Sequence, residues 1–439
     1  ISSDDVAVQG MTSEFAAEQA ASIDKIYVLI KSGEYFLSEP LEFDYRDSSD
    51  INVIYTSYGE GETVIHGGME VGSWQVYDAD KNVYRAYVGK DVNSRQFFVD
   101  GVRATRARQQ GALKNCYIDG GSIVCDNTEL LNFEYPQDME ITFHHAWNAP
   151  ICGVDSVEKT DDDKVRVNMA SEVWNMLQTR GTPYAKYPYT TEQDGVAYPW
   201  SMYSYENAYE LLDEEGEWYL NTHDGYLYYK PRKFENIETA KAVLPITEQL
   251  VKIVGTEYLP VKNIEFNDIK FAYTTWLYPT EHKGYASGQN NTLYTDASHN
   301  YSFADAAVQV DCASNIDFID CTFTKLGSVA LKLRKGVQDC DIVGNEVYDI
   351  SGNGICLGGQ RAEEDNMPTE DMKNKNNTVA NNYIHKIGVD YHGGSALSTT
   401  YAQDTVVRNY EIFDVSYMGI HMGHIYDENY IAGLNVKDN

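Results

Sequence analysis

From Asn263 to the C-terminus, apolar and polar residues alternate in short runs, and the runs recur. Asn263-Ile264-Glu265-Phe266 is echoed by Asn315-Ile316-Asp317-Phe318, then by Cys340-Asp341-Ile342-Val343, Asn377-Thr378-Val379-Ala380 and Asp404-Thr405-Val406-Val407. The alternation has the two-residue period of a half-buried strand rather than the 3.6-residue period of a helix. Two units, Ile316–Leu333 and Cys340–Leu357, align without a gap. Phe318 and Ile342, Phe323 and Val347, and Leu333 and Leu357 are each 24 residues apart (342 − 318, 347 − 323, 357 − 333). A single coil with one apolar face cannot bury it, whereas stacked coils can. The pattern predicts a right-handed parallel β-helix, the hand following the general preference of parallel crossovers. Asn345, Asn382 and Asn409 fall in nearly one column, which predicts an internal ladder of stacked amides.

The first half reads differently. Ser13 to Ala21 is a short helical stretch. Ile26–Ile30 is a buried strand, and Ile54-Tyr55 and Val64–Gly68 are short strands of the first coils. From about Gln96 to Pro245 the repeat disappears and hairpin turns replace it: Asp119-Gly120-Gly121, Asp213–Gly216 and Asp224-Gly225 lie between apolar or aromatic strands. The expected organisation is an N-terminal cap with first coils over 1–95, an inserted antiparallel β-sandwich over 96–245, and the main coils over 246–439. Thr274–Phe303 and Gln360–Lys375 interrupt those coils, and loops of that length are usually functional.

Charge narrows the choice of partner. The chain has 67 acidic and 34 basic residues, a net charge of −33, which disfavours nucleic acid and anionic membranes. Polyanionic sugars are disfavoured too, unless calcium bridges them. No cofactor is otherwise expected, and calcium is the one ion left open. No apolar run approaches the ~18 residues of a membrane span. Seven cysteines show no zinc spacing. Counting back from the Gly120-Gly121 turn sets Cys116 opposite Cys125, which leaves a cross-strand disulfide and two free thiols as alternatives. Asn290, Asn300 and Asn376 head glycosylation sequons, which carry no meaning in a bacterial protein.

The candidate chemistry is carboxylate and aromatic. Glycoside hydrolysis needs two acids across the scissile bond, and neighbouring coils can supply them ~4.8 Å apart. Asp349 and Asp414 occupy the same place in two coils, where an Asp at a turn can equally be structural. Asp390, in Gly388-Val389-Asp390-Tyr391-His392-Gly393-Gly394, breaks the repeat. The expected acids are Asp390 with Asp349 or Asp414. His392, His421, His424, Tyr391, Tyr417 and Glu411 are the expected groove contacts, with no metal site. Tyrosine occurs 35 times, and the dense run from Tyr184 to Tyr209 suits either sugar stacking or a sandwich core.

Several motifs together resemble a known group. These are Tyr35–Leu41; Val64-Ile65-His66-Gly67-Gly68 with Trp74; Phe97–Arg103 followed by Arg106-Ala107-Arg108; Glu217–Leu220 with Gly225–Tyr229; and Tyr417–Gly423. They resemble secreted bacterial β-helix glycoside hydrolases of the α-L-fucosidase/xylanase and β-xylosidase types. The resemblance implies an extracellular or periplasmic enzyme that hydrolyses a plant-type or other complex glycan. In that group further coils follow, carrying an Asp-Gly-Gly motif and another acid; as this sequence stops at Asn439, either the chain is truncated, or its acids come from earlier coils, or it is not a hydrolase. A polysaccharide lyase and a non-catalytic glycan binder on the same fold are the alternatives. Oligomeric state is not legible.

Overall fold

The computed structural model describes residues 25–144, 147–179, 191–193, 196–198, 202–296, 300–358, 369–423 and 435–437. The Ser13–Ala21 stretch, His424, and Tyr184, Tyr187, Tyr189 and Trp200 of the Tyr184–Tyr209 run lie outside these residues.

The alternating segments form a three-faced parallel β-helix. One face stacks Lys270–Ala272, Thr322–Leu326, Glu346–Ile350, Tyr383–Ile387 and Glu411–Val415; a second stacks Val261–Asn267, Ala313–Ile319, Asp341–Val343, Thr378–Ala380, Val406–Arg408 and Asn435–Lys437. The third runs from Leu41–Phe43 through Val251–Val254, Ala306–Asp311, Val329–Leu333, Ile355–Leu357 and Ser395–Thr399 to Met418–Met422. The 24-residue spacing is the register itself: Phe318 pairs with Ile342, Phe323 with Val347 and Leu333 with Leu357. One coil later the step becomes 37 residues (379 − 342 and 384 − 347), because the second long interruption adds chain between faces. Inward residues form one apolar interior in which Phe266 stacks on Phe318 and Phe271 on Phe323 at 5.3 and 5.1 Å. Each such ring contributes ~1.5–3 kcal/mol by leaving water.

The amide ladder is real but shorter than its spacing suggests. Asn345 donates to Asn382 at 2.9 Å, and Asn382 donates to the Tyr410 hydroxyl at 3.1 Å. Asn409 lies outside this column and donates instead to Asn381, both residues having left-handed backbones. Tyr410, the next residue, points inward in its stead.

Each coil turns a corner at one left-handed position. Lys325, Asp349, Lys386 and Asp414 have φ of 56, 57, 54 and 51° and precede the paired residues Leu326, Ile350, Ile387 and Val415. Asp349 and Asp414 thus do share one place, two coils apart with a lysine between them.

Two expectations need correction. The antiparallel block starts near Gly68, not at 96. Gly68–Val71 pairs with Ala242–Pro245, and Val83–Tyr87 with Tyr226–Tyr229. These short strands look like coils in sequence because their partners lie some 140–175 residues downstream (226 − 87, 242 − 71). The excursion leaves and returns at one point: the Gly67 carbonyl accepts from Ile246 N and Thr247 N, both at 2.9 Å. A Cβ at Gly67 would lie 2.7 Å from the Tyr273 carbonyl, so no other residue fits. The second correction concerns Lys25–Phe36, which is half exposed rather than buried, with Tyr27 and Leu29 outward.

The block itself has its own cores. Its hairpin register, Tyr117 with Val124, Ile118 with Ile123 and Asp119 with Ser122, matches the turn count. Cys116 and Cys125 are free thiols.

Candidate active site at the seam between insertion and coils

The strongest concentration of buried charge lies where the insertion meets the late coils. Phe98–Val99 and Val102–Arg103 form a tight hairpin whose turn residues, Asp100 and Gly101, both have positive φ; this two-residue turn matches strand twist. It thrusts Arg103 into the coils, its guanidinium 4.9 Å from the Phe98 ring. There Arg103 donates to Asp349 Oδ1 (2.8 Å), the Asp349 carbonyl (2.9 Å), Ser351 Oγ (3.0 Å) and Asp390 Oδ2 (2.9 Å). One side chain thereby ties the insertion to two coils.

The two aspartates differ in what they leave open. Asp349 is buried and has both oxygens engaged, Oδ1 by Arg103 and Oδ2 by Lys386 at 3.4 Å. Asp390 keeps 27% of its side chain exposed. Its Oδ2 accepts from Ser351 Oγ at 2.6 Å, Gln96 Nε2 at 3.0 Å and Arg103. Among the described residues nothing donates to its Oδ1. Burial, the largest single effect, raises the pKa of both acids, but Arg103 together with Lys386 at Asp349, and with Ser351 and Gln96 at Asp390, holds each below the ordinary carboxylate range. Asp390 is therefore an anchored, ionised carboxylate with one oxygen to spare. Its turn is fixed by backbone bonds from Asp390 and Tyr391 N–H to the Ser351 carbonyl, and by close packing at Gly394, where a Cβ would meet the Gly352 carbonyl at 2.7 Å.

Asp390, Tyr391 and His392 line one narrow cavity together with residues of the insertion. Tyr391 is wedged edge-on to Trp276 and Tyr285 at 4.9 and 5.6 Å, and burial pushes its phenol up to about 12. His392 packs near His144 (4.6 Å) and edge-on to Tyr203 (5.4 Å), and burial keeps it below the ordinary imidazole range despite Asp390. The insertion adds Arg106, Arg108 and Glu206, all missing from the candidates drawn from sequence. Glu206 sits 3.4 Å from Arg106 and 4.0 Å from Arg108. Behind it Glu140 is fully buried between Arg95 (2.6 Å) and Arg106 (3.0 Å). Burial opposes its ionisation, but the two arginines bring it down to about 2.

The other expected site residues are dispersed. Asp414 and Glu411 lie exposed on the outside of the Glu411–Val415 strand. The Tyr417 hydroxyl accepts from Gln289 Nε2 at 2.8 Å, and His421 is buried in register with Ser398; neither lines the cavity. Among the described residues no group of three or more His, Cys, Asp or Glu is arranged to hold a metal ion. No helix among them is long and apolar enough to cross a membrane.

Residues 82–232 match the family model described as the GH141 insertion domain. The whole chain is similar to a solved structure titled "Glycoside hydrolase", with a TM-score of 0.79 at 25% identity over 92% of this chain and 73% of that one. The chain is a glycosidase. A xylose complex of XylC also aligns with it, at a TM-score of 0.45 and 11% identity over 92% of the glycosidase and 56% of XylC. A search of curated proteins gives no match. The family match covers the part of the glycosidase that brings Arg103, Arg106, Arg108 and Glu206 to the seam. A run of three arginines within six residues of an acidic chain was the signal for this in the sequence.

Proposed function

We propose that the seam is the active site, and that Asp390 is the carboxylate that attacks, either directly at the anomeric carbon or by activating water. The observation that carries this is its asymmetric bonding: Oδ2 is held by three donors, leaving Oδ1 for the substrate. Glu206, from the Met202–Glu206 strand of the insertion, is the second carboxylate in the same cavity and takes the general-acid role. Asp349 positions Arg103 rather than touching sugar, and Tyr391, His392 and Tyr203 form the wall. The substrate is a plant-type or other complex glycan, and the enzyme works outside the cytoplasm, in line with the resemblance to α-L-fucosidase/xylanase and β-xylosidase types.

Turnover of a panel of aryl glycosides and polysaccharides tests this. Asp390→Asn should lose about 10²–10⁴-fold in kcat. Glu206→Gln should lose as much on alkyl glycosides but far less on 2,4-dinitrophenyl glycosides, whose leaving group needs no proton. Full activity in Asp390→Asn would sink the assignment. The arginines in the cavity favour one second reading, eliminative cleavage of a uronate; unsaturated products absorbing in the ultraviolet would replace hydrolysis with that chemistry.

A further inference from the structure

A second cavity lies wholly within the insertion and shares no residue with the seam. It measures about 260 Å³, a little under the ~300–1,000 Å³ of sites for drug-sized ligands. It suits one or two small rings rather than a polymer chain. Five tyrosines line it, Tyr135 among them. Tyr77, 46% exposed at the rim, stands edge-on to Tyr228 at 4.9 Å and to Tyr209 at 5.5 Å, and Tyr219 lies at the floor. Tyr228 is already committed, its hydroxyl donating to Asp224 at 2.9 Å.

The floor carries unused polar groups. Tyr219 and Asn221 are only 2% and 6% exposed, and both line the cavity. Asn221 Oδ1 accepts from His223 N at 3.0 Å. Among the described residues neither the Tyr219 hydroxyl nor the Asn221 amide nitrogen has a protein partner. A buried polar group without a partner costs ~1–3 kcal/mol unless something enters to satisfy it. The open space beside both residues is this cavity.

The charge around the cavity selects the ligand. Glu134, Glu210 and Asp224 surround it, which repels a uronate or phosphate and offers acceptors to hydroxyl groups. A cation is not the match either. Arg85 already occupies that role, its guanidinium 5.0 Å from the Tyr77 ring and 4.3 Å from Tyr226. We infer that this cavity is a binding site for a neutral sugar residue, separate from the seam, with aromatic walls for the ring and Tyr219, Asn221 and the carboxylates for its hydroxyls. A glycan held there and at the seam gains effective concentration from the first contact to the second.

The test is titration of the intact protein with methyl β-D-xylopyranoside and methyl β-D-galactopyranoside, followed by saturation-transfer NMR and calorimetry. Methyl galacturonide and choline serve as charged controls. Variants are Tyr219→Phe, which removes one oxygen, Tyr77→Ala at the exposed rim, and Tyr203→Ala at the seam. Binding of a neutral glycoside at this cavity should weaken about tenfold in the double variant Tyr77→Ala/Tyr219→Phe and persist in Tyr203→Ala, which alters the seam. Affinity unchanged in the double variant, binding lost in Tyr203→Ala, tighter binding of either charged control, or no neutral glycoside bound at all would each overturn the inference. Circular dichroism of each variant separates lost binding from lost fold, and Tyr219→Phe alone suffices if Tyr77→Ala fails to fold.

Discussion

The β-helix and the insertion solve the same problem, burying one face of every strand, with opposite means. In the coils inward residues meet their counterparts one turn away: Phe on Phe, Asn on Asn, Ile on Val. The contacts are short in range, repeated and almost uncharged. The insertion has apolar cores too, but beside them it buries contacts that are unique and ionic, with Glu140 held between Arg95 and Arg106 and Glu206 beside them. A stack of equal coils makes a firm rod but repeats one environment. The seam is where an irregular, charged body meets that rod, and there an aspartate can be both anchored and open. The second cavity belongs to the irregular partner as well.

The sharpest way to break the contrast is Glu140→Ala. Removing this acid strands buried Arg95 and leaves Arg106 with Glu206 alone at 3.4 Å, and losing one partner of a buried pair costs ~3–5 kcal/mol. Hydrogen exchange should show the insertion opening while the coils stay protected. Equal loss of protection in both regions would mean that they unfold as one unit.

The next effect is set by pH. His66 is buried between the Phe36 and Tyr273 rings, and burial, against a counter-effect from Glu34, lowers it to about 4. An unfolded chain would take up that proton near 6.5 while the folded one does not, so stability rises with pH across this window and is lost as pH falls from 6.5 towards 4. The loss is at most ~3 kcal/mol. The Glu140 cluster should hold until lower pH, since its carboxyl stays ionised to about 2. Burial lowers His144 of the insertion to about 4 as well, so thermal unfolding from pH 7 to 3 should show Tm falling as pH drops from 6.5 towards 4, and Tm independent of pH down to 4.5 would contradict this.

A smaller change probes the rod. Asn382→Ala removes the link between Asn345 and Tyr410 and leaves the Ile342 carbonyl without its donor. The expected cost is on the order of 1–2 kcal/mol, seen as faster exchange in the neighbouring coils only and not in the insertion.

What could be read from the sequence follows the same division. The 24-residue alignment placed Phe318, Phe323 and Leu333 on their partners because a stack turns sequence distance directly into register. The Gly120-Gly121 hairpin was legible for a similar reason, its two strands being adjacent in the chain. Asn409 misled because a one-residue difference in coil length turns an inward position outward, and Tyr410 took its place. The insertion's start near Gly68 was hidden because its first strands pair with residues beyond 225. The seam was half legible. Asp390 stood out by breaking the repeat, but Gln96, Arg103 and Glu206 reach it from 294, 287 and 184 residues away (390 − 96, 390 − 103, 390 − 206). No local pattern announces a meeting across such a distance.

The join at Gly67 has a consequence for how such a protein could be rebuilt. Departure and return share a single carbonyl, so roughly two fifths of the described chain leaves the solenoid and rejoins it at one place, while Arg103 and the Ile151–Tyr285 pairing hold it against the coils further along. A different module spliced between Gly68 and Pro245 would keep this entry and exit but would have to replace the bonds Arg103 gives to Asp349 and Asp390. A graft of that kind would be expected to inherit the scaffold while rewriting whatever Asp390 faces.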